Sequence, residues 1–189
     1  MIKTKLFFYL ILTLLILCSV NCPPPTNTSA DTKDPVDLNI ENFTQDTQVW
    51  CWAACAQQII FWKTGNYYYQ CFLVGVTYGI DFCCYNPSSC LYTGQWPQIQ
   101  FLLKYFGGSY SAYSLPADPV TVYKTLKQGK AILLQLQFSP YSSHCVVLKK
   151  MEWINNNPIF YLNDPMSYFT QPWTFQQLSY YWKDALVVY

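Results

Sequence analysis

The chain has 189 residues, enough for one domain or one domain behind a targeting segment, and enough to bury a core without cross-links. It carries 11 lysines, no arginine and 10 acidic residues, a formal charge of +1. The basic stripe that a nucleic-acid binder uses to neutralise phosphates is therefore missing, and no nucleic-acid partner is expected.

Lys3 and Lys5 precede an apolar run from Leu6 to Leu17, broken only by Thr13, and Cys18-Ser19-Val20-Asn21-Cys22 follows. A short positive region, an apolar core of about a dozen residues and a small polar exit describe a secretory signal. A membrane span needs about 20 apolar residues, more than this run offers. Residues 1–21 are read as the signal, and export to the periplasm, the cell surface or the medium is expected. Cys22 stands where a bacterial lipoprotein would be cleaved and lipidated, so a lipid anchor there and simple cleavage both remain open. Loss of Lys3 and Lys5 leaves nine lysines against ten acidic residues, a mature charge of −1. Residues 22–41 are rich in Pro, Thr, Asn and Asp without apolar periodicity and read as a linker, leaving 42–189 as the folded domain.

Within the domain, Cys51 to Lys63 predicts a helix, since Trp52, Cys55, Ala56, Ile59 and Ile60 recur at helical spacing and Gly65 supplies a stop. Residues 66–95 read as irregular and held by cysteines. Trp96 to Phe106 is a second helix, ended by Gly107-Gly108, and Pro119 to Leu126 a third, with Gly129 just beyond. The period then switches. Ala131 to Gln137, Cys145 to Trp153 and Ile159 to Leu162 read as strands, followed by a short helix near Phe175 to Trp182 and a last strand from Ala185 to Tyr189. Helices first and strands after them give an α+β fold with a helical half and a sheet half.

Export changes how the cysteines read. Seven follow Cys22, namely Cys51, Cys55, Cys71, Cys83, Cys84, Cys90 and Cys145. In an oxidising compartment six pair and one is left as a reactive or partner-seeking thiol. The spacing of Cys83, Cys84 and Cys90 lacks the two-residue gaps of a zinc knuckle, and the single histidine is distant, so no metal is expected.

Cys51 opens its helix within Gln45-Asp46-Thr47-Gln48-Val49-Trp50-Cys51-Trp52-Ala53-Ala54-Cys55. A cysteine in that position faces unsatisfied backbone N–H groups and the positive end of the helix dipole, which favour a thiolate nucleophile. Gln45, six residues upstream, can fold back to present its amide to an oxyanion beside the Cys51 N–H. Gln-x5-Cys-Trp-Ala at a helix start resembles the papain-like cysteine peptidases. The Cys-Trp-Ala-Ala-Cys version is similar to their bacterial secreted and effector-type branch, with the double-glycine leader peptidases as more distant cousins. The resemblance spans roughly residues 43–189.

The sole histidine sits in Ser143-His144-Cys145-Val146-Val147-Leu148. In the resembling family, a histidine opening an apolar strand is the general base, usually after a glycine that Ser143 replaces here. The third member should be an Asp or Asn that fixes the imidazole tautomer. A hairpin centred near Asn155 places Asp164 opposite Val146, on the face of His144, whereas a turn shifted by half a residue favours Asn163. The Asp-Pro usual in the family is matched by Asp164-Pro165, so Asp164 is preferred and Asn163 held second.

Singly, each residue has an ordinary reading: Cys51 as a disulfide cysteine, His144 as structural, Asp164-Pro165 as a strand terminator. Together, in family order, they imply a peptidase with Cys51, His144, Asp164 and Gln45 in its site, acting on a protein or peptide in the groove between the halves, with no cofactor. Cys55, Cys71, Cys83, Cys84, Cys90 and Cys145 read as structural. The rivals are a transglutaminase or amidase using the same Cys–His–Asp set, and a non-catalytic disulfide-rich surface module.

Overall fold

A computed structural model describes residues 34–107 and 109–189; the segment read as a signal, Cys22 and the first part of the segment read as a linker lie outside them. The helical half is built on α1 (Cys51–Thr64), with α2 (Gln70–Tyr78) and α3 (Trp96–Leu102) against it. Nine consecutive residues of α1, Trp52 to Ile60, are buried, so this helix is covered on every side rather than on one stripe. It ends where Gly65, at φ +72°, takes the left-handed conformation and donates its N–H to Phe61 O.

The segment expected to be irregular contains α2. Its sequence mixes glycine with β-branched residues of modest helix propensity, so the helix depends on context. The Cys71–Cys84 disulfide fastens its first turn, and Cys83–Cys90 closes the loop that follows. The expected helix from Trp96 is α3, which widens into a π turn over Leu103–Gly107.

The sheet half is an antiparallel sheet of seven strands: β1 (Val36–Asp37), β2 (Ser111–Ser114), β3 (Ala131–Ser139), β4 (Ser142–Ile154), β5 (Asn157–Asn163), β6 (Trp173–Thr174) and β7 (Trp182–Val188). The order is β2-β7-β3-β4-β5-β6, with β1 on β4. One face, through Leu133, Cys145, Val147 and Leu186, shares a core with α1. The other, through Leu134, Val146 and Leu148, packs on α4 (Pro119–Lys127) and α5 (Phe175–Tyr181). With both faces covered, the central strands read as unbroken apolar runs.

Two boundaries differ from expectation. β4 begins at Ser142, so His144 lies inside the strand. The end of the segment read as linker is part of the fold: β1 pairs Val36 with Met151 and Asp37 with Lys150, and Ile40 is buried in the core.

The register of β4 on β5 decides what faces His144. The turn sits at Asn155-Asn156, with φ of 50° and 64°, and pairs Ile154 with Asn157. Asparagine tolerates this left-handed region better than most residues, as a two-residue hairpin requires. That register reaches Lys150 opposite Tyr161, and continued unbroken it would bring Asn163 to the face of His144. A bulge between Leu148 and Lys150 intervenes, so Leu148 faces Leu162 and Val147 faces Asn163. Continuing this pairing sets Asp164 opposite Val146. The Leu38 N–H, just beyond β1, donates to Lys149 O in the bulge at 2.9 Å.

Gly94 marks a close approach between the loop ahead of α3 and α1. A Cβ built there would lie 2.2 Å from Trp52 Cδ2, while the Trp52 indole N–H donates to Tyr92 O at 3.1 Å. Gly94→Ala is expected to destabilise the protein by about 1–3 kcal/mol, the usual cost of overpacking. A denaturation midpoint unchanged from the parent would show that the Trp52 ring yields at no cost.

Candidate active site

Cys51 is the first residue of α1, half-buried and unpaired. No side chain caps this end of the helix, and its first turn holds no acidic residue to compete for the N–H groups. The two flanking indoles fix the position. The Trp50 indole N–H donates to Cys90 O at 2.9 Å and the Trp52 indole N–H to Tyr92 O, so one ring is pinned at the end of the loop closed by Cys83–Cys90 and the other just beyond it.

His144 faces Cys51 from the start of β4 and is buried, with 6% of its surface exposed. Its Nε2 lies 2.5 Å from Asp164 Oδ1, and its ring lies beside the Cys51 thiol at the cavity. Burial opposes protonation of the imidazole. The Asp164 carboxylate and the Cys51 sulfur outweigh it and raise the His144 pKa to about 9.

Asp164 is itself buried. Its Oδ1 also accepts from Met166 N at 2.9 Å, and its Oδ2 from Tyr168 N at 2.6 Å and Phe169 N at 2.9 Å. Burial alone would push its pKa up, but His144 and these N–H groups hold it below the usual carboxylate range. Asn163 points the other way, where its Nδ2 donates to Ile40 O at 2.8 Å.

Gln45 is near but turned aside. Its backbone N–H donates to Pro165 O at 3.0 Å, its Nε2 donates to Thr47 O at 2.6 Å, and its Oε1 is buried without a partner. Cys51 and His144 open onto a cavity of about 560 Å³, lined also by Gln48, Trp52, Gly94, Trp96, Gln135 and Tyr168. Gln45 does not line it, whereas Gln48, three residues before Cys51, does.

The structure thus brings Cys51, His144 and Asp164 together in one line and leaves Asn163 and the Gln45 amide outside it. Sequence reasoning passed over Gln48 and the Gly94 wall; the only available signal was position, since both lie close in sequence or space to cysteine-rich landmarks. Cys55 and Cys145 are free, buried thiols, so four of the six cysteines read as structural are paired here. Among the described residues, no cluster of His, Cys, Asp and Glu could hold a metal ion.

An imidazole held between a carboxylate and a thiol can carry a proton from the sulfur while the carboxylate fixes its tautomer. No family model matches the chain, and no curated protein matches its sequence. Solved structures do match its fold. A candidate C39-like peptidase from Bacillus anthracis is similar with a TM-score of 0.55 at 13% identity, over 82% of this chain and 98% of that one. A mite-allergen structure, from a comparison of Blo t 1 with Der p 1, gives 0.55 at 10% identity, over 88% of this chain and 74% of that one. UfSP from C. elegans gives 0.52 at 11% identity, over 91% of this chain and 36% of that one. The fold of this chain is that of the papain-like cysteine peptidases.

Proposed function

We propose that the protein is an exported cysteine peptidase that hydrolyses peptide bonds in proteins or peptides. The observation that carries this reading is the His144 imidazole bridging Asp164 and the Cys51 thiol at the mouth of a cavity. In the proposed reaction, the Cys51 sulfur attacks the carbonyl carbon while His144 holds the thiol proton. Collapse of the tetrahedral intermediate passes that proton to the leaving amine and leaves an acyl-enzyme. His144 then takes a proton from water, whose attack releases the acid and restores the thiol. Asp164 keeps the imidazole in the required tautomer and stabilises its charged form. The Cys51 N–H and the Gln45 amide are the proposed oxyanion donors; Gln45 must first release Thr47 O, and Gln48 is the competing amide because it already lines the cavity. The two disulfides favour an oxidising compartment, and anchoring through Cys22 is part of the proposal.

Cys51 should be alkylated by iodoacetamide near pH 6, where an ordinary thiol of pKa about 8.5 is largely protonated. Modification at Cys55 or Cys145 in its place, mapped by peptide mass, would overturn the assignment, and incorporation of amines in preference to hydrolysis would make the enzyme an acyltransferase.

Asp164→Ala should lower turnover on a peptide substrate by roughly 10²–10⁴, the span of general acid–base catalysis. Asn163→Ala should spare turnover and instead cost about 1–3 kcal/mol of stability, because Ile40 O loses its donor. The reverse order would hand the role to Asn163. The raised pKa of His144 stabilises the fold fully below about pH 6.5, and this contribution is lost as pH rises through about 9. Asp164→Ala should flatten that dependence.

Gln45→Ala should slow acylation by roughly 10²–10³ if its amide holds the oxyanion, with Gln48→Ala nearly silent. Single-turnover kinetics showing the opposite ranking would move the donor to Gln48.

A further inference from the structure

Cys55 and Cys145 belong to one buried cluster in the core between the two halves. Cys55 lies one turn after Cys51 on α1, with none of its surface exposed, and Cys145 follows His144 on β4, with 7% exposed. Neighbouring side chains on a strand point to opposite faces, so while His144 turns toward Asp164, Cys145 turns toward α1 and joins the same apolar cluster as Cys55. The helix and the strand that carry them pack directly on one another, so the two thiols are neighbours in that cluster. Among the described residues the remaining cysteines are otherwise engaged: Cys71 is bonded to Cys84, Cys83 to Cys90, and Cys51 lies at His144.

We propose that Cys55 and Cys145 form a third disulfide in the oxidised protein, a covalent link between α1 and β4 directly beneath Cys51 and His144. Each sulfur gives up its hydrogen and the S–S bond forms. The two electrons and two protons pass to a disulfide oxidant, either glutathione disulfide or an oxidised dithiol protein, which is reduced to two thiols. Closing the bond brings the sulfurs to about 2.05 Å, which asks for side-chain rotation and an approach of α1 to β4.

The environment also dictates when the link forms. Burial, and then the hydrogen bond and proximity of Cys145, push the Cys55 thiol well above the ordinary thiol range, so in the packed core it is not the thiolate that attacks a disulfide. Burial also keeps an external disulfide from either sulfur, so exchange takes place as the halves come together, before α1 is sealed against β4. Once made, the bond is shielded from reductant by the same burial, while Cys51 stays free on the cavity.

The test needs no catalytic activity and so stands apart from the peptidase reading. Reduced, denatured protein is refolded in a glutathione redox buffer, quenched, denatured again without reductant, alkylated with iodoacetamide and digested. The expected result is Cys51 recovered alkylated, and Cys55 recovered joined to Cys145 alongside the Cys71–Cys84 and Cys83–Cys90 pairs. Recovery of Cys55 and Cys145 as alkylated peptides, or of either joined to any other cysteine, overturns the proposal. A peptidase that hydrolyses substrate with both thiols alkylatable would sink this inference alone; a cross-linked protein inert to every peptide would sink the other alone.

Discussion

A buried carboxylate is costly unless its charge is met, and Asp164 meets that cost with three backbone N–H groups from the turn after it and the ring of His144. The turn is shaped for the purpose. Ser167, at φ 58°, donates its N–H back to Asp164 O at 3.0 Å, and the chain then curls so that Met166, Tyr168 and Phe169 all present their N–H groups inward. Because these donors belong to the backbone, the carboxylate cannot rotate away without breaking the turn. Its fixed charge holds the imidazole, and the imidazole reaches across to Cys51.

The other side of this junction is held by neutral amides. Gln57, Gln58 and Gln70 are buried in the helical half, where apolar residues would be expected. Gln58 Nε2 donates to Asn42 Oδ1 and Phe43 O, while Gln70 donates to Thr44 O and accepts from Asp46 N. Asn42 in turn donates to Asp164 O. The strand of chain leading into Cys51 is thereby stitched to α1, to α2 and to the aspartate, with no net charge placed in the core. These bonds satisfy backbone groups that would otherwise be buried without partners.

How much of this was legible in the sequence follows from the range of each interaction. The helix beginning at Cys51, the strand carrying His144 and the apolar strands behind it are dictated by local periodicity, and they were readable. So was the block from Gln45 to Cys55, whose residue types carry their chemistry in close sequence. The choice between Asp164 and Asn163 was not fixed by the turn alone: Asn155-Asn156 sets the register that favours Asn163, and the bulge at Lys149 reverses it. Nothing in Leu148-Lys149-Lys150 signals a bulge, because the partner that occupies it, Leu38, lies more than a hundred residues away. The same distance hid β1 inside a segment that looks like a linker, and hid the aim of the Gln45 side chain, which depends on where Thr47 O falls.

The bond from Leu38 to Lys149 ties the segment ahead of α1 to the register of the sheet. Tyr123 holds Asp34 O with its hydroxyl, and the chain from there to Ile40 runs along β4 before it turns toward α1. A trimming enzyme that cut before Asp34 would leave every bond of the bulge in place. A cut beyond Leu38 would take away the donor to the Lys149 carbonyl and the pairing of β1 with Met151 and Lys150. Residues 34–40 thus mark how far the chain can be shortened without uncovering β4: the limit lies in this pairing and not in any residue of the site.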